Sequence, residues 1–118
     1  MTYPTVYSYL NIAAINTIVG SRIYGFAEAP QSPTYPYITW EIISGRPSNY
    51  QGSAPAVDNY RVEINVWARD QQNALDAITE IQSALDTRGH QLVQIGPSVD
   101  PDTQSYRAQL DYSLWTSR

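Results

Sequence analysis

The chain contains no cysteine and no lysine, and its 118 residues include a single histidine and a single phenylalanine. Without cysteine, neither a disulfide framework nor a thiolate metal site can form. All seven basic residues are arginine, and eleven acidic residues give a formal net charge of -4. This balance argues against a protein that clamps the phosphate backbone of a nucleic acid. The length suits a single domain covering residues 1–118.

The chain also lacks a long hydrophobic run. Residues 1–21 carry no charged side chain, but Pro4, Ser8, Asn11 and Asn16 interrupt their apolar positions. A secretory signal has a basic start and an unbroken apolar segment, and a membrane span needs about 20 mostly apolar residues. We therefore expect a soluble, unexported protein that does not contact a membrane.

The stretch from Val62 to Leu85 predicts a strand that runs directly into a helix. The strand has alternating apolar residues, which indicate one buried face: Tyr60, Val62, Ile64 and Val66. Asp70 can accept hydrogen bonds from the first helical turn. The helix has an apolar stripe, formed by Ala74, Ala77, Ile78, Ile81, Ala84 and Leu85. Gly89 follows, where a left-handed residue usually ends a helix.

The N-terminal segment predicts a second helix, from about Pro4 to Ile18, with Gly20 just past its end. One side carries Val6, Tyr9, Leu10 and Ala13, and the nearly opposite side carries Ile12, Ile15 and Val19. A helix that is apolar on both sides is usually buried on both sides. Two interpretations remain open: the monomer buries both stripes, or a neighbouring subunit covers the second one.

The remaining segments predict strands and one long loop. Residues 35–44 and 105–115 alternate as long strands, residues 92–95 form a short strand, and residues 22–25 form an edge strand or a turn. Residues 45–59 show no periodicity and form a long hairpin arm, of the kind that is often functional. The order predicts an α+β fold: a mainly antiparallel sheet of three long strands plus short ones, with two helices packed on one face.

Catalytic and metal-binding patterns are almost absent from the sequence. There is no glycine-rich phosphate loop, nucleophile elbow or HExxH motif. His90 falls in a predicted loop, and Asp100 and Asp102 flank a proline without the further ligands that a calcium loop supplies. We expect no enzyme activity, cofactor or metal. A hydrolase using His90 and Asp100 is the enzyme alternative.

The solvent face of the predicted sheet is more informative. It carries Glu41, Arg61, Glu63, Arg107, Gln109 and Asp111, together with Trp67 and Trp115. The chain has ten tyrosines and three tryptophans, residue types that are favoured at protein interfaces. Each of the two indoles is either covered by its own chain or is an anchor at a subunit interface.

Several segments in one fixed order resemble a known family over nearly the whole chain. They are Ser21–Tyr24, Ala29–Pro30, Tyr35–Ile38 leading to Ile43–Gly45, Val62–Ala68, the helix Ala74–Leu85, Asp102–Thr103 and Leu110–Trp115. Taken together they resemble the tail completion (tail terminator) proteins of long-tailed bacteriophages and prophages. The uncharged N-terminal helix departs from that pattern.

The resemblance implies a structural protein of the virion that assembles in the host cytoplasm. Such proteins cap the tail tube as a ring, commonly a hexamer, and contact the major tail tube protein and the head connector. DNA only passes through the bore, and an acidic chain is compatible with a bore that repels phosphates. Two alternatives stay open: a head–tail connector adaptor, and a monomeric ligand-binding α+β domain.

Ring formation gives each residue of the candidate site an expected role. The expected subunit interface consists of Ile12, Ile15, Val19, Arg46, Tyr50, Trp67 and Trp115. The expected bore lining, or outer face of the sheet, consists of Glu41, Glu63 and Asp111. A closed ring needs two different patches on each subunit, one for each neighbour.

Overall fold

The computed structural model describes residues 6–25, 33–48, 57–101 and 104–117. These residues form three helices: α1 (Val6–Leu10), α2 (Ala13–Val19) and α3 (Gln71–Leu85). They also form five strands: β1 (Ile23–Gly25), β2 (Tyr37–Ser48), β3 (Val57–Ala68), β4 (Gly89–Asp100) and β5 (Ser105–Ser117). The predicted α+β class is confirmed.

The five strands form one sheet in the order β1-β2-β3-β5-β4. Every neighbouring pair is antiparallel except β1 and β2, which are parallel. The sequence predicts three long strands, but β4 is a fourth, with twelve residues. Apolar alternation does not reveal this strand, because two of its inward-facing positions are Gln91 and Gln94. Both accept hydrogen bonds from Gln82 of α3, at 2.8 and 3.2 Å. The short strand predicted at residues 92–95 continues to Asp100, since Pro97 is tolerated in an edge strand.

The core lies between the sheet and the three helices, which pack on one face. The alternation predicted for β3 is confirmed, with Val62, Ile64 and Val66 fully buried. The apolar stripe of α3 lies over them, and its core members are Ala77, Ile78, Ile81 and Leu85. Asp70 caps α3 as predicted, because Asn73 N–H donates to Asp70 Oδ1 at 2.7 Å.

The N-terminal segment forms two short helices instead of the predicted single one. The chain breaks at Asn11 and Ile12, between α1 and α2. The break lets the two helices turn separately, so Val6 and Leu10 of α1 and Ile15 and Val19 of α2 all enter the same core. Each of these four side chains is fully buried in the monomer. The expectation that Ile15 and Val19 lack an internal partner is therefore wrong, and the first of the two interpretations holds for them.

Gly20 and Gly89 are required as glycine for different structural reasons. Gly20 ends α2 with φ 62, as predicted. Gly89 has no positive φ, and the prediction that it ends α3 in the left-handed region is wrong. It opens β4 so close to β5 that a Cβ atom would collide with the carbonyl oxygen of Ser113.

The predicted loop 45–59 is shorter than expected. β2 and β3 stay paired to Ser48 and Val57, so residues 45–48 and 57–59 are strand. Residues 49–56, including the predicted interface residue Tyr50, lie outside the described residues. β2 and β3 thus form the hairpin arm that the sequence predicts. Within the described ranges, no helix has the length and apolar character to cross a bilayer.

Candidate assembly surface

The face of the sheet opposite the helices carries Trp67, Trp115 and the three predicted bore-lining carboxylates. We call it the outer face, and it consists of the residues of β2, β3, β5 and β4 whose side chains point away from α3. Strand register arranges these residues in rows across the sheet. One row contains Glu41, Glu63, Asp111 and Val93, in the strand order β2-β3-β5-β4. The three predicted bore-lining carboxylates are therefore neighbours on adjacent strands.

This row is held together by polar side chains beside it. Arg61 Nη2 lies 2.7 Å from Asp111 Oδ2, and the Asp111 side chain is 5% exposed. Gln109 Nε2 donates to the other oxygen, Oδ1, at 3.1 Å. Like charges directly opposite each other destabilise a sheet. The ion pair offsets that repulsion at Asp111, whereas the carboxylates of Glu41 and Glu63 have no ion-pair partner among the described residues.

An aromatic cluster lies at one end of the outer face. Tyr37 and Trp67 are register partners, and their rings stack at 5.8 Å between centroids. Tyr35 packs against Tyr37 at 5.3 Å. Arg107 lies over the other side of Trp67, with its guanidinium carbon 5.1 Å from the ring centroid. Burial, and next the neighbouring Tyr35, raise the pKa of Tyr37 to about 12.

These contacts show how much of the Trp67 ring is covered by its own chain. The ring is partly buried beneath Tyr37 and Arg107, and its Nε1 donates to Thr39 Oγ1 at 3.4 Å. The predicted place of Trp67 at a subunit interface stays a prediction, although its own chain covers part of the ring. The sequence could not reveal this because spacing along a strand does not give the register between strands.

Trp115 lies at the opposite end of the outer face and remains 45% exposed. Its register partner on β3 is Asn59, whose partner on β2 is Arg46, so the backbone brings Arg46 and Trp115 into one row. Ile12, at the break between α1 and α2, is 36% exposed. Among the predicted interface residues whose side chains the structure describes, Trp115 and Ile12 are the most exposed.

Exposed apolar residues on β4 are the feature that sequence reasoning missed. Leu92, Ile95 and Val99 are 44%, 54% and 51% exposed. They lie on the edge strand of the sheet, which ends in a row of unpaired backbone groups. The signal that could have found them is the uncharged run from Gly89 to Val99, which contains no Asp, Glu, Lys or Arg.

The outer face offers little for catalysis or for small-molecule binding. His90 pairs with Ser113 and Asp100 with Ser105, which are eight residues apart along β5 and so roughly 26 Å apart at about 3.3 Å per residue, too far for one hydrolase site within a subunit. Among the described residues, no group of three or more acidic, histidine or cysteine side chains could hold a metal ion. A shallow hollow of about 40 Å³ is lined by Ile95, Ser98, Arg107 and Gln109, far below the roughly 300–1,000 Å³ of typical ligand pockets.

Comparison with known proteins gives one family and a shared fold. A model of the family described as tail completion protein gp17 matches residues 8–117. A search of curated proteins finds no match. A chain in the virion of a native gene transfer agent particle has a TM-score of 0.63 and 18% identity, covering 96% of this chain and 92% of that chain. The gp17 protein of bacteriophage SPP1 has a TM-score of 0.54 and 17% identity, covering 93% and 85%.

Proposed function

The chain belongs to the tail completion protein gp17 family of phage tail structural proteins, and from this premise we propose that it caps the tail tube as a ring. The ring, commonly a hexamer in proteins of this kind, would contact the major tail tube protein on one side and the head connector on the other. The observation that carries the proposal is the family match over residues 8–117. The fold shared with a virion chain supports a place in an assembled particle.

The charges of the outer face fit the bore of such a ring. Glu41, Glu63 and Asp111 form one row across the sheet, and the chain as a whole is acidic. A surface of one sign repels a polymer of the same sign. A bore lined by this row would let DNA pass without holding it. The outer face is therefore the surface that we assign to the bore.

Two exposed side chains fit the contact between subunits. Trp115 is 45% exposed beside the β2–β3 arm, and Ile12 is 36% exposed at the break between α1 and α2. Large aromatic side chains are favoured anchors at protein interfaces. Ile15 and Val19 no longer belong to this set because the core buries them. Arg46 stays in it because strand register places its backbone in the row of Trp115, and Tyr50 stays in it as a prediction.

Native mass spectrometry tests the proposal, with the protein alone and with the tail tube protein. We expect a closed ring of fixed mass in at least one of these samples. Trp115→Ala should give a folded monomer, because a half-exposed side chain contributes little to the core. The matched control is Leu75→Ala, which removes a large apolar side chain that is 39% exposed on α3. This variant should still form rings.

Other results would contradict the ring, the contact at Trp115 or the role at the tail tube. A monomer in both samples would contradict the ring. Rings of wild-type mass from Trp115→Ala would remove Trp115 from the interface but leave the ring intact. Binding to the head connector without binding to the tail tube would favour the connector adaptor, the alternative from the same setting. Circular dichroism must show native content in each variant before its mass is interpreted.

A further inference from the structure

Both long edges of the sheet have unpaired backbone groups among the described residues. At one edge, β4 pairs only with β5 along its twelve residues. At the other, β1 covers β2 only at Ile38–Trp40, and Glu41–Ser48 pair only with β3. An edge strand presents a row of unpaired N–H and C=O groups, which is a template for another strand. The described part of the chain thus leaves two different edges of this kind.

The first half of the β4 edge, Gly89–Ile95, lacks the charged side chains and prolines that usually protect an edge strand from pairing. Natural edges are commonly blocked by charged side chains, and by lysine above all. No charged residue occurs from Gly89 to Val99, and Leu92 and Ile95 are exposed there. β4 has two register shifts against β5, one between Gln91 and Val93 and one between Ile95 and Ser98, and the second contains Pro97, which has no N–H to donate. The stretch that can accept another strand is therefore Gly89–Ile95.

The directions of the strands favour β2 of a second copy as the partner of β4. β3 is antiparallel to β2, β5 is antiparallel to β3, and β4 is antiparallel to β5. β4 therefore runs opposite to β2. When a second copy continues the sheet with its helices on the same side, its β2 meets β4 as an antiparallel neighbour, the more stable of the two ladders. Each added copy offers a new β4 edge, as a head-to-tail ring requires.

We propose that β4 of one subunit pairs antiparallel with β2 of the next, through Gly89–Ile95 and Glu41–Ser48, so that the sheets join around the ring. This pairing rests on the proposed ring and specifies how it closes. It carries the row Glu41–Glu63–Asp111–Val93 of one subunit on to β2 of the next, within about two residues of its Glu41. The carboxylates then form a band around the inner wall, and Leu92 and Ile95 lose contact with water at the joint.

Disulfide cross-linking tests the pairing cleanly because the chain has no cysteine of its own. Leu92→Cys or Ile95→Cys is placed in β4, and Ile43→Cys or Ser44→Cys in β2. All four positions are exposed. Oxidation of a mixture of one β4 variant and one β2 variant should give linked pairs. Each variant oxidised alone should stay unlinked, and a chain with both cysteines should give a ladder that ends at the ring mass.

A charge on the edge gives an independent test. Ile95→Lys should abolish rings while circular dichroism stays native, since Ile95 is 54% exposed. Its matched control is Leu75→Lys on α3, which is 39% exposed and lies off the sheet, and this variant should keep its rings. Loss of rings in both variants would contradict a specific effect at the edge.

The outcomes separate this pairing from the ring itself. Absence of any ring from the wild type, alone or with the tail tube protein, contradicts the ring and the pairing together. Rings that survive Ile95→Lys and give no linked product with any cysteine combination contradict the pairing alone. Linkage of a β4 variant to itself would show a two-fold β4–β4 contact, which also overturns the proposed one.

Discussion

The pKa of Tyr37 reflects the packing around its side chain. It is 8% exposed, between Tyr35 and the stacked ring of Trp67. Burial favours the neutral phenol over the phenolate, and the pKa of Tyr37 in the folded protein is about 12 against an ordinary value of 10.0. Its titration is therefore coupled to folding only in alkaline solution.

The free energy of unfolding should fall between pH 10 and pH 12 because of Tyr37. In that window the unfolded chain has already released the phenol proton and the folded chain still holds it, so the unfolded state binds fewer protons. The contribution of this side chain is fully present below pH 10. The slope should reach at most about 1.4 kcal/mol per pH unit. Urea unfolding at several pH values measures it.

Tyr37→Phe isolates this effect from the other tyrosines. Phenylalanine keeps the ring that stacks on Trp67 but has no proton to release. The variant should be close to the wild type in stability at pH 7 and should lose less stability between pH 10 and pH 12. Identical pH profiles for the two proteins would show that Tyr37 does not titrate with a raised pKa.

At the scale of elements, α3 is the helix whose packing the sequence predicts best. Ile78 is 4% exposed and belongs to the core, whereas Ser83 faces solvent on the opposite side. Ile78→Ala should cost about 2–5 kcal/mol of unfolding free energy, from lost burial and the cavity left behind. Ser83→Ala should change it by less than about 0.5 kcal/mol. Equal effects in thermal unfolding would contradict this orientation of the helix.

The elements also show where sequence reasoning stops. β3 and α3 were predictable because Tyr60 to Val66 alternate strictly and Asp70 marks the start of the helix. β4 was not, because Gln91 and Gln94 satisfy each other and Gln82 at positions where an apolar pattern would have signalled a strand. The break at Ile12 was also missed. Both stripes are apolar, so periodicity alone could not tell one helix with two buried sides from two helices with one each.

The candidate site also has features that the sequence predicts and features that it does not. The faces of Glu41, Glu63 and Asp111 followed from alternation along each strand, and the structure puts them in one row. The cover over Trp67 depends on Tyr37, which is 30 residues away along the chain and adjacent only through strand register. Contacts of this kind arise from tertiary structure, so no local pattern in the sequence encodes them.

At the scale of the whole molecule, the position of the negative charge should matter more than its total. A double variant, Glu41→Lys with Glu63→Lys, should make assembled rings retain duplex DNA in a gel-shift experiment at low salt, because lysines attract phosphates. The control, Asp76→Lys with Glu80→Lys, changes the net charge equally but places the lysines on α3. Equal retention by both would contradict an acidic wall at the outer face.

The length of the central ladder has a mechanical consequence. β3 and β5 are register partners without interruption from Val57–Ser117 to Ala68–Tyr106. Antiparallel hydrogen bonds run perpendicular to the strands, so a pull along the strands loads all of these bonds in shear at once. A pull across the sheet instead loads the last pair first and peels the ladder bond by bond. The subunit therefore withstands tension along its strands far better than tension across them.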